Sequence, residues 1–306
     1  MVSAATALAR AGEILGPLAR PDEPLGPCTT YRCGGRAALF AVLEQEHDLA
    51  VIARAVAESG VEVLVLGRGS NLLVADAGFP GLCVTLGEAY GEVVLDPAAC
   101  RVRAGGAAAY PLLARLAAAA GLGGMEWAVG IPGSVGGAVA MNAGGHGSQT
   151  ADRLLEASVA DLATGEVSTR PVGELELGYR RSSLRAGELV LGAVFSCLPG
   201  DSEASAGEIA AIVRWRRQHQ PGGRNAGSVF TNPPGDSAGR LIEAAGLKGY
   251  RIGSAEVSRK HANFVQSDPG GRAEDVHRLI GEVRRLVAER LGVELEPELK
   301  LVGFGR

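Results

Sequence analysis

Two short segments of small residues carry the strongest chemical signal in the sequence. The longer is GIPGSVGGAVAMNAGG at residues 130–145, with six glycines among its sixteen residues, and the shorter is GRGSN at residues 67–71. Glycine reaches positive φ freely and adds no side chain, so backbone N–H groups in such segments can converge on one anion. We interpret the pair as a cradle for the pyrophosphate of a dinucleotide. For either segment alone, a close-packed turn under a sheet is the alternative interpretation.

The surroundings of the shorter segment argue against a Rossmann domain. Residues 61–66 (VEVLVL) predict a strand that runs into the GRGSN turn, and Leu72-Leu73-Val74 follows without a clear helix. A Rossmann fingerprint requires glycines that open a helix, and GxGxxG does not follow this strand. This test for a Rossmann domain therefore fails.

Hydrophobic periodicity predicts the elements that must position these segments. Amphipathic helices are expected at the N-terminus, at 48–59 before Gly60, at 108–120 before Gly121, at 206–219 and at 273–291 before Gly292. The stripe of the last helix, from Val276 to Leu291, predicts a core position. Strands are expected at 82–86, 92–95, 100–104, 156–162, 166–170 and 188–197, with a hairpin turn at Thr164-Gly165. The period-2 spacing of Glu294, Glu296 and Glu298 predicts a further strand with all three on one face.

Composition restricts the class of protein. The chain has 306 residues, 46% of them hydrophobic and 21% charged, which is typical of a globular protein with two or three packed units. A net charge of −4 argues against broad nucleic-acid binding. There is no apolar run of about 20 residues and no secretory signal pattern, so we expect no membrane association and a cytoplasmic location. The five cysteines form no CxxC pair, so we expect reduced thiols and no metal.

Eight motifs, taken together and in order, resemble one family. The chain resembles the UDP-N-acetylenolpyruvoylglucosamine reductases over residues 26–304, and the motifs are TTYRCGG (29–35), GRGSN (67–71), the segment 130–145, YRRS (179–182), AGSVFTNP (226–233), AGRLIEAAGLKG (238–249), VSRKHANF (257–264) and LEPELKLVG (295–303). The resemblance implies an α+β fold, with a two-lobed FAD-binding domain of the vanillyl-alcohol-oxidase (PCMH) type and a smaller α+β substrate-binding domain. We expect the first FAD-binding lobe at 1–85, the second at 86–200 and the substrate-binding domain at 201–306. Arg180 and Ser228 are too close in sequence to enclose the family's lid insertion, so the chain resembles the shorter, type II form.

The resemblance also implies an activity. It is the NADPH-dependent, FAD-mediated reduction of UDP-N-acetylglucosamine enolpyruvate to UDP-N-acetylmuramate in peptidoglycan precursor synthesis. FAD is expected to be bound non-covalently, NADPH to be the co-substrate, and the protein to be a monomer that binds a nucleotide sugar. The implied cofactor-binding residues are Gly67, Gly69, Ser70, Asn71, Leu72, Gly130, Ile131, Pro132, Gly133, Gly136, Gly137, Ala138, Asn142 and Gly144.

Three residues are the implied catalytic group. Arg180 would hold the carboxylate of an enolate-like intermediate, Ser228 would donate the proton to its carbon, and Glu298 would hydrogen-bond the carboxylate or orient a water. Alone, each has a plainer interpretation: a structural arginine, a turn serine, or one member of a solvated acidic edge. Arg181 is the alternative to Arg180, and spacing alone does not separate Glu296 from Glu298. The implied substrate-binding residues are Tyr179, Asn232, Lys260 and His261.

Two positions depart from the family pattern. His219 and Thr231 stand where the family commonly has lysine, and Arg216, Arg217 or Arg224 could replace the lost positive charge. A covalent flavin link at His146 is disfavoured. Two other functions stay open from the residues: a flavin-dependent oxidase of the same fold, and a nucleotide-binding protein without enzymatic activity.

Overall fold

The computed structural model describes residues 3–305, which divide into two compact units. The first unit comprises residues 3–21, 38–68 and 81–216, and the second comprises 22–37, 69–80 and 217–305. The chain therefore passes between the units within the GRGSN segment, after Arg68. The boundaries of these two units differ from those of the three expected domains. The expected functional division at 1–85, 86–200 and 201–306 stays a prediction.

Seven α-helices lie in the described part of the chain. They are α1 (Ala4–Leu15), α2 (Glu46–Ser59), α3 (Tyr110–Ala119), α4 (Val135–Ala140), α5 (Ser202–His219), α6 (Ala238–Ala244) and α7 (Ala273–Leu291). The predicted helix ends are confirmed at α2 and α7, because Gly60 and Gly292 follow them with φ of 67° and 69°. Only glycine adopts this left-handed conformation without steric cost.

Eighteen short strands accompany the helices within residues 3–305. In chain order they are β1 (Arg20–Pro24), β2 (Arg36–Leu43), β3 (Val63–Val65), β4 (Leu72–Val74), β5 (Phe79–Leu86), β6 (Val93–Asp96), β7 (Arg101–Gly105), β8 (Leu122–Gly123), β9 (Gly144–Gly145), β10 (Ser148–Gln149), β11 (Leu154–Asp161), β12 (Val167–Pro171), β13 (Glu188–Ser196), β14 (Leu198–Pro199), β15 (Arg251–Ile252), β16 (Ala255–Val257), β17 (Val265–Ser267) and β18 (Lys300–Val302). The strands expected from 82 to 104 and from 156 to 197 are confirmed, with ends that shift by up to three residues.

Two sheets lie largely in the first unit. One has the strand order β1-β2-β5-β3, and α1 and α2 cover it with buried side chains such as Leu15 and Ile52. The other is antiparallel, in the order β12-β11-β13-β7-β6. Tyr110 of α3 packs there against Phe195 of β13, with ring centroids 6.0 Å apart. The chain from 130 to 145 runs from a short 3₁₀ helix (Glu126–Gly130) through α4 into β9, beside this second core.

The second unit is built around α7. Its predicted stripe is buried against the antiparallel sheet β15-β16-β17, apart from Leu291 at the end, which is exposed. A parallel pair joins β18 to β4, with Lys300 opposite Leu72. This pair places the C-terminal segment beside residues 71–74, more than two hundred positions earlier in the chain.

The strand predicted for Glu294, Glu296 and Glu298 is wrong. Only an isolated bridge forms in this stretch, between Pro297 and Phe230. Glu298 is half-buried, whereas Glu294 and Glu296 are exposed.

Candidate active site

The two small-residue segments meet in the first unit. A Cβ atom added to Gly67 would lie 2.8 Å from Ser134 Oγ, so a side chain at this position would displace the Ser134 hydroxyl. Ser134 is not among the residues predicted from the sequence, although a serine before a short helix is a recognised N-cap signal. Its Oγ accepts a hydrogen bond from Gly137 N at 3.2 Å, which caps α4.

The amides of the longer segment are mostly used within the protein. Val135 N donates to Ala108 O and Gly136 N to Gly106 O, both at 2.9 Å. The packed-turn interpretation therefore applies to residues 135–138, including Ala138, whose amide donates to Ser134 O. Within residues 3–305, the amides of Gly133 and Ser134 have no protein acceptor. Within the longer segment, these two amides are the ones left for the proposed anion cradle, and Gly133 has a φ of 132°, a conformation that favours glycine.

Asn142 has a structural role rather than an open binding group. The side chain is buried, and its Nδ2 donates to Gly178 O at 3.0 Å and to Gln149 Oε1 at 3.1 Å. Its Oδ1 accepts from Ala151 N at 2.9 Å. Both donors and the acceptor of the carboxamide are occupied, so Asn142 acts by holding the segment around residue 178 in place.

The YRRS motif is attached to the glycine-rich segment. Arg180 Nη2 donates to Gly144 O at 3.0 Å, and Ser182 Oγ donates to Ala140 O at 2.7 Å. Arg180 is half-buried with a positive φ of 56°, and its guanidinium carbon lies 5.4 Å from the centre of the exposed Tyr179 ring. Arg181 is exposed. The geometry therefore favours Arg180 over its neighbour as the functional arginine.

In the second unit, the rest of the GRGSN segment contacts the TTYRCGG motif. Gly69 has a φ of 61°, and a Cβ there would lie 2.2 Å from Cys28 O, so no other residue fits. Thr30 N donates to Gly69 O at 3.1 Å. Leu72 is a buried residue of β4, so its side chain belongs to the core.

Asn71 links this segment to the C-terminal motif. Its Nδ2 donates to Glu298 O at 3.2 Å, and its carbonyl accepts from Lys300 N at 3.2 Å. The predicted cofactor residue Asn71 and the predicted catalytic residue Glu298 are thus neighbours.

Ser228 and Glu298 are also brought together. Glu298 N donates to Val229 O at 2.8 Å, and Thr231 N donates to Glu296 O at 2.9 Å, so the two segments run side by side. Ser228 is half-buried and follows Gly227, whose φ is 79°. Gly227 N donates to Asn225 Oδ1 at 3.0 Å, which closes the predicted tight turn.

The four predicted substrate residues differ in accessibility. Tyr179, Asn232 and Lys260 are exposed, and Asn232 Oδ1 also accepts from Ala238 N at 3.1 Å at the start of α6. Lys260 Nζ donates to the carbonyl of Arg217. Burial, and then the charge of Lys248, lowers the pKa of His261, and its Nδ1 accepts from Asn263 N at 3.2 Å. The lowered pKa favours the neutral form of the His261 ring in the ligand-free protein.

His219 and Thr231, which depart from the family pattern, lie in different surroundings. His219 is exposed at the end of α5, and Thr231 Oγ1 donates to Glu296 O at 3.3 Å. Arg224 Nη1 donates to Asp268 O at 3.3 Å, and burial lowers the pKa of Arg216.

His146 lies in the first unit with its ring 5.2 Å from that of Trp215, edge to face. Within residues 3–305, none of the helices combines the length and the apolar character needed to cross a bilayer.

Sequence comparison covers almost the whole chain. Residues 218–302 match the family described as UDP-N-acetylenolpyruvoylglucosamine reductase, C-terminal domain, and residues 37–169 match the FAD binding domain. The reductase of Rubrobacter xylanophilus is 45% identical over 94% of this chain and 97% of its own length. That of Heliobacterium modesticaldum is 44% identical over 92% of this chain and 90% of its own.

This chain belongs to the UDP-N-acetylenolpyruvoylglucosamine reductase family. The crystal structure of the reductase (MurB) from Thermus caldophilus has a TM-score of 0.80 and 36% identity, covering 93% of this chain and 99% of that one. The predicted α+β fold with an FAD-binding domain of the PCMH type is therefore confirmed, and FAD is the cofactor of this family's fold. Family membership disfavours both alternatives, the oxidase and the non-enzymatic nucleotide-binding protein.

Proposed function

We propose that this protein reduces the enolpyruvyl ether of UDP-N-acetylglucosamine enolpyruvate to the lactyl ether, giving UDP-N-acetylmuramate for peptidoglycan synthesis. The observation that carries the proposal is the match of 45% identity to a reductase over nearly the full length of both chains. The nucleotide sugar is the substrate, and NADPH is the proposed co-substrate.

Arg180 is proposed to bind the carboxylate of the enolpyruvyl group. Its charge is permanent, and a guanidinium matches a carboxylate with two parallel hydrogen bonds. The hydrogen bond from Nη2 to Gly144 O and the stacking on Tyr179 support this role, since both restrict the guanidinium before substrate arrives. The guanidinium then loses less conformational freedom when the substrate binds.

We propose that Ser228 acts on the reacting carbon of the substrate and that Glu298 acts on its carboxylate. Addition of hydride to the terminal carbon places negative charge on the carboxylate, and the neighbouring carbon must then take a proton. An alcohol is a weak acid, but an enolate carbon is a strong base, so Ser228 suffices if its hydroxyl is well placed. The hydrogen bond between Glu298 N and Val229 O supports joint action, since it fixes Glu298 beside the residue that follows Ser228.

The residues present suit FAD. In the first unit we assign its contacts to Gly67, Gly133 and Ser134. The two glycine-rich segments meet there, and the amides of Gly133 and Ser134 have no protein acceptor within the described residues. In the second unit we assign them to Gly69, Ser70 and Asn71. When bound, FAD would supply a centre that accepts a hydride from NADPH and later releases it. The other predicted cofactor residues, such as Gly136 and Asn142, shape this surface by packing.

Three further features of the proposal follow from the sequence. We propose a cytoplasmic location, in keeping with five cysteines that are all free thiols. We also propose a monomer, and a functional division at 1–85, 86–200 and 201–306.

The decisive experiment compares NADPH oxidation with and without UDP-N-acetylglucosamine enolpyruvate. We expect the purified protein to oxidise NADPH in proportion to added substrate, with UDP-N-acetylmuramate detected by mass spectrometry. Rapid NADPH oxidation in air that does not respond to the substrate would instead identify an oxidase.

A further inference from the structure

Asn263 holds one side of the backbone that follows Ser228. The side chain is 3% exposed, its Oδ1 accepts from Phe230 N at 3.0 Å, and its Nδ2 donates to Phe230 O at 2.8 Å. The carbonyl of Asn263 accepts from Val229 N at 2.9 Å. One residue therefore satisfies three of the four backbone polar groups of Val229 and Phe230.

The opposite side of the same segment is held by the C-terminal motif. The fourth polar group, Val229 O, accepts from Glu298 N at 2.8 Å. Residues 228–231 are thus hydrogen-bonded on both sides although they form no strand. On one side, a single carboxamide supplies the donor and the acceptor that a neighbouring strand would otherwise supply.

The chain before Ser228 is constrained in a different way. Gly227 has a φ of 79° and is closed into a turn by Asn225. Ser228 therefore lies between a tight turn and the dipeptide Val229-Phe230. The hydrogen bonds from Asn263 and Glu298 hold this dipeptide as a clamp, and the position of the Ser228 hydroxyl depends on both the turn and the clamp. A change to the clamp alters that position without removing the hydroxyl.

We propose that Asn263 is a positioning residue for Ser228, acting through the backbone of Val229 and Phe230. This inference rests on the proposed function, in which the Ser228 hydroxyl delivers the proton. A displacement of about 1 Å at a reacting group can cost on the order of 100-fold in rate. Aspartate is the informative substitution, because it keeps the shape and the acceptor of asparagine but loses the donor to Phe230 O.

The first test measures the clamp without enzymatic turnover. In Asn263→Ala, amide hydrogen exchange in peptides that cover residues 226–233 is expected to be at least about 10-fold faster than in the unsubstituted protein, because two hydrogen bonds to Phe230 are lost. Val283→Ala is the matched control, since it removes buried volume from α7 in the same unit and none of these hydrogen bonds. It is expected to leave the protection of 226–233, relative to the rest of the unit, unchanged. Unchanged exchange in Asn263→Ala would overturn the inference.

The second test asks whether Asn263 acts through Ser228. Asn263→Asp is expected to slow the substrate-dependent recovery of the flavin absorbance about 10- to 100-fold, while bleaching by NADPH stays at the unsubstituted rate. In a Ser228→Ala background the same substitution should cost less than about 3-fold, because the group it positions is already gone. Equal losses in both backgrounds would show a general structural role and refute the inference.

The outcomes separate this inference from the proposed function. If the unsubstituted protein shows no substrate-dependent recovery, the proposed function fails, and hydrogen exchange still decides whether the clamp exists. If Ser228→Ala recovers at the normal rate, Ser228 is not the proton donor and Asn263 has no such group to position.

Discussion

Glu298 N and Val229 O are joined by a 2.8 Å hydrogen bond, although the two residues are 69 positions apart in the sequence. This bond fixes the residue after Ser228 against the backbone of Glu298. The backbone of the proposed carboxyl residue is thereby held beside the residue that follows the proposed proton donor, through main-chain atoms that substitution of either side chain leaves in place. Each can therefore be tested by a side-chain substitution that spares this contact.

Ser228→Ala is expected to separate the two halves of the reaction. NADPH-dependent bleaching of the flavin band should stay nearly intact, because no proton from Ser228 is needed there. Recovery of the band on adding the enolpyruvyl substrate should fall about 10²- to 10⁴-fold, the usual contribution of a general acid. Rapid-mixing absorbance resolves the two phases. Equal slowing of both phases, or of neither, would return Ser228 to the role of a turn residue.

Arg180→Ala is expected to weaken substrate binding. Loss of a charged hydrogen-bonding partner costs about 1.5–3 kcal/mol, so kcat/KM for the enolpyruvyl substrate should fall about 10- to 100-fold with a raised KM. The matched control is Arg181→Ala, which removes the same charge from the exposed neighbouring position. Steady-state kinetics of both variants measure the difference. A larger loss in the control would assign the role to Arg181.

Gly67→Val is expected to abolish FAD retention. The new side chain would begin 2.8 Å from Ser134 Oγ, displace the hydroxyl that caps α4 and fill the space between the two segments assigned to the cofactor. Gly91→Val is the control, since a Cβ at Gly91 has open space and its φ is not positive. The ratio of flavin to protein absorbance after gel filtration measures retention. A yellow Gly67→Val protein with unchanged stoichiometry would remove Gly67 from the site.

The unsubstituted protein is expected to release its FAD on denaturation without proteolysis. His146, the residue considered for a covalent link, has its ring 5.2 Å from that of Trp215, and burial lowers its pKa. Acid precipitation followed by absorbance of the supernatant gives the answer. Flavin that stays with the polypeptide would contradict non-covalent binding.

Glu188→Gln is expected to destabilise the protein in a pH-dependent way. Burial would raise the pKa of the Glu188 carboxyl, but hydrogen bonds from Arg170 and Arg185 outweigh it and hold the pKa at about 2, below the ordinary 4.5. A lowered carboxyl pKa stabilises the fold fully above pH 4.5 and loses that effect as the pH falls towards 2. The shift corresponds to about 3 kcal/mol.

Denaturant unfolding at several pH values checks this expectation. The difference between Glu188→Gln and the unsubstituted protein should be large at pH 7 and should shrink between pH 4.5 and 2. Glu166→Gln, at an exposed position nearby in the sequence, is the matched control and should show little effect. A difference that does not change with pH would contradict the assigned ion pair.

Local patterns in the sequence were enough to predict five of the seven described helices and all five strands of the sheet β12-β11-β13-β7-β6. Helix α7 is confirmed from Ala273 to Leu291, because an apolar stripe and a glycine end are both local signals. The strand predicted through Glu298 is wrong, because period-2 spacing is a local signal whereas pairing with a partner segment is not, and only an isolated bridge between Pro297 and Phe230 forms there. The family and its FAD-binding fold followed from eight motifs read in order.

Tertiary structure decided what the small and polar residues do. The sequence predicted Asn142 and Gly136 as cofactor residues, which stays a prediction, and only the fold shows that Asn142 Nδ2 donates to Gly178 O and Gly136 N to Gly106 O. It singled out neither Ser134, which approaches the distant Gly67, nor Asn263, whose partner Phe230 lies 33 positions away. A hydrogen bond between distant residues leaves no period in a sequence, so only the folded chain shows which polar group is already satisfied and which stays open to a ligand.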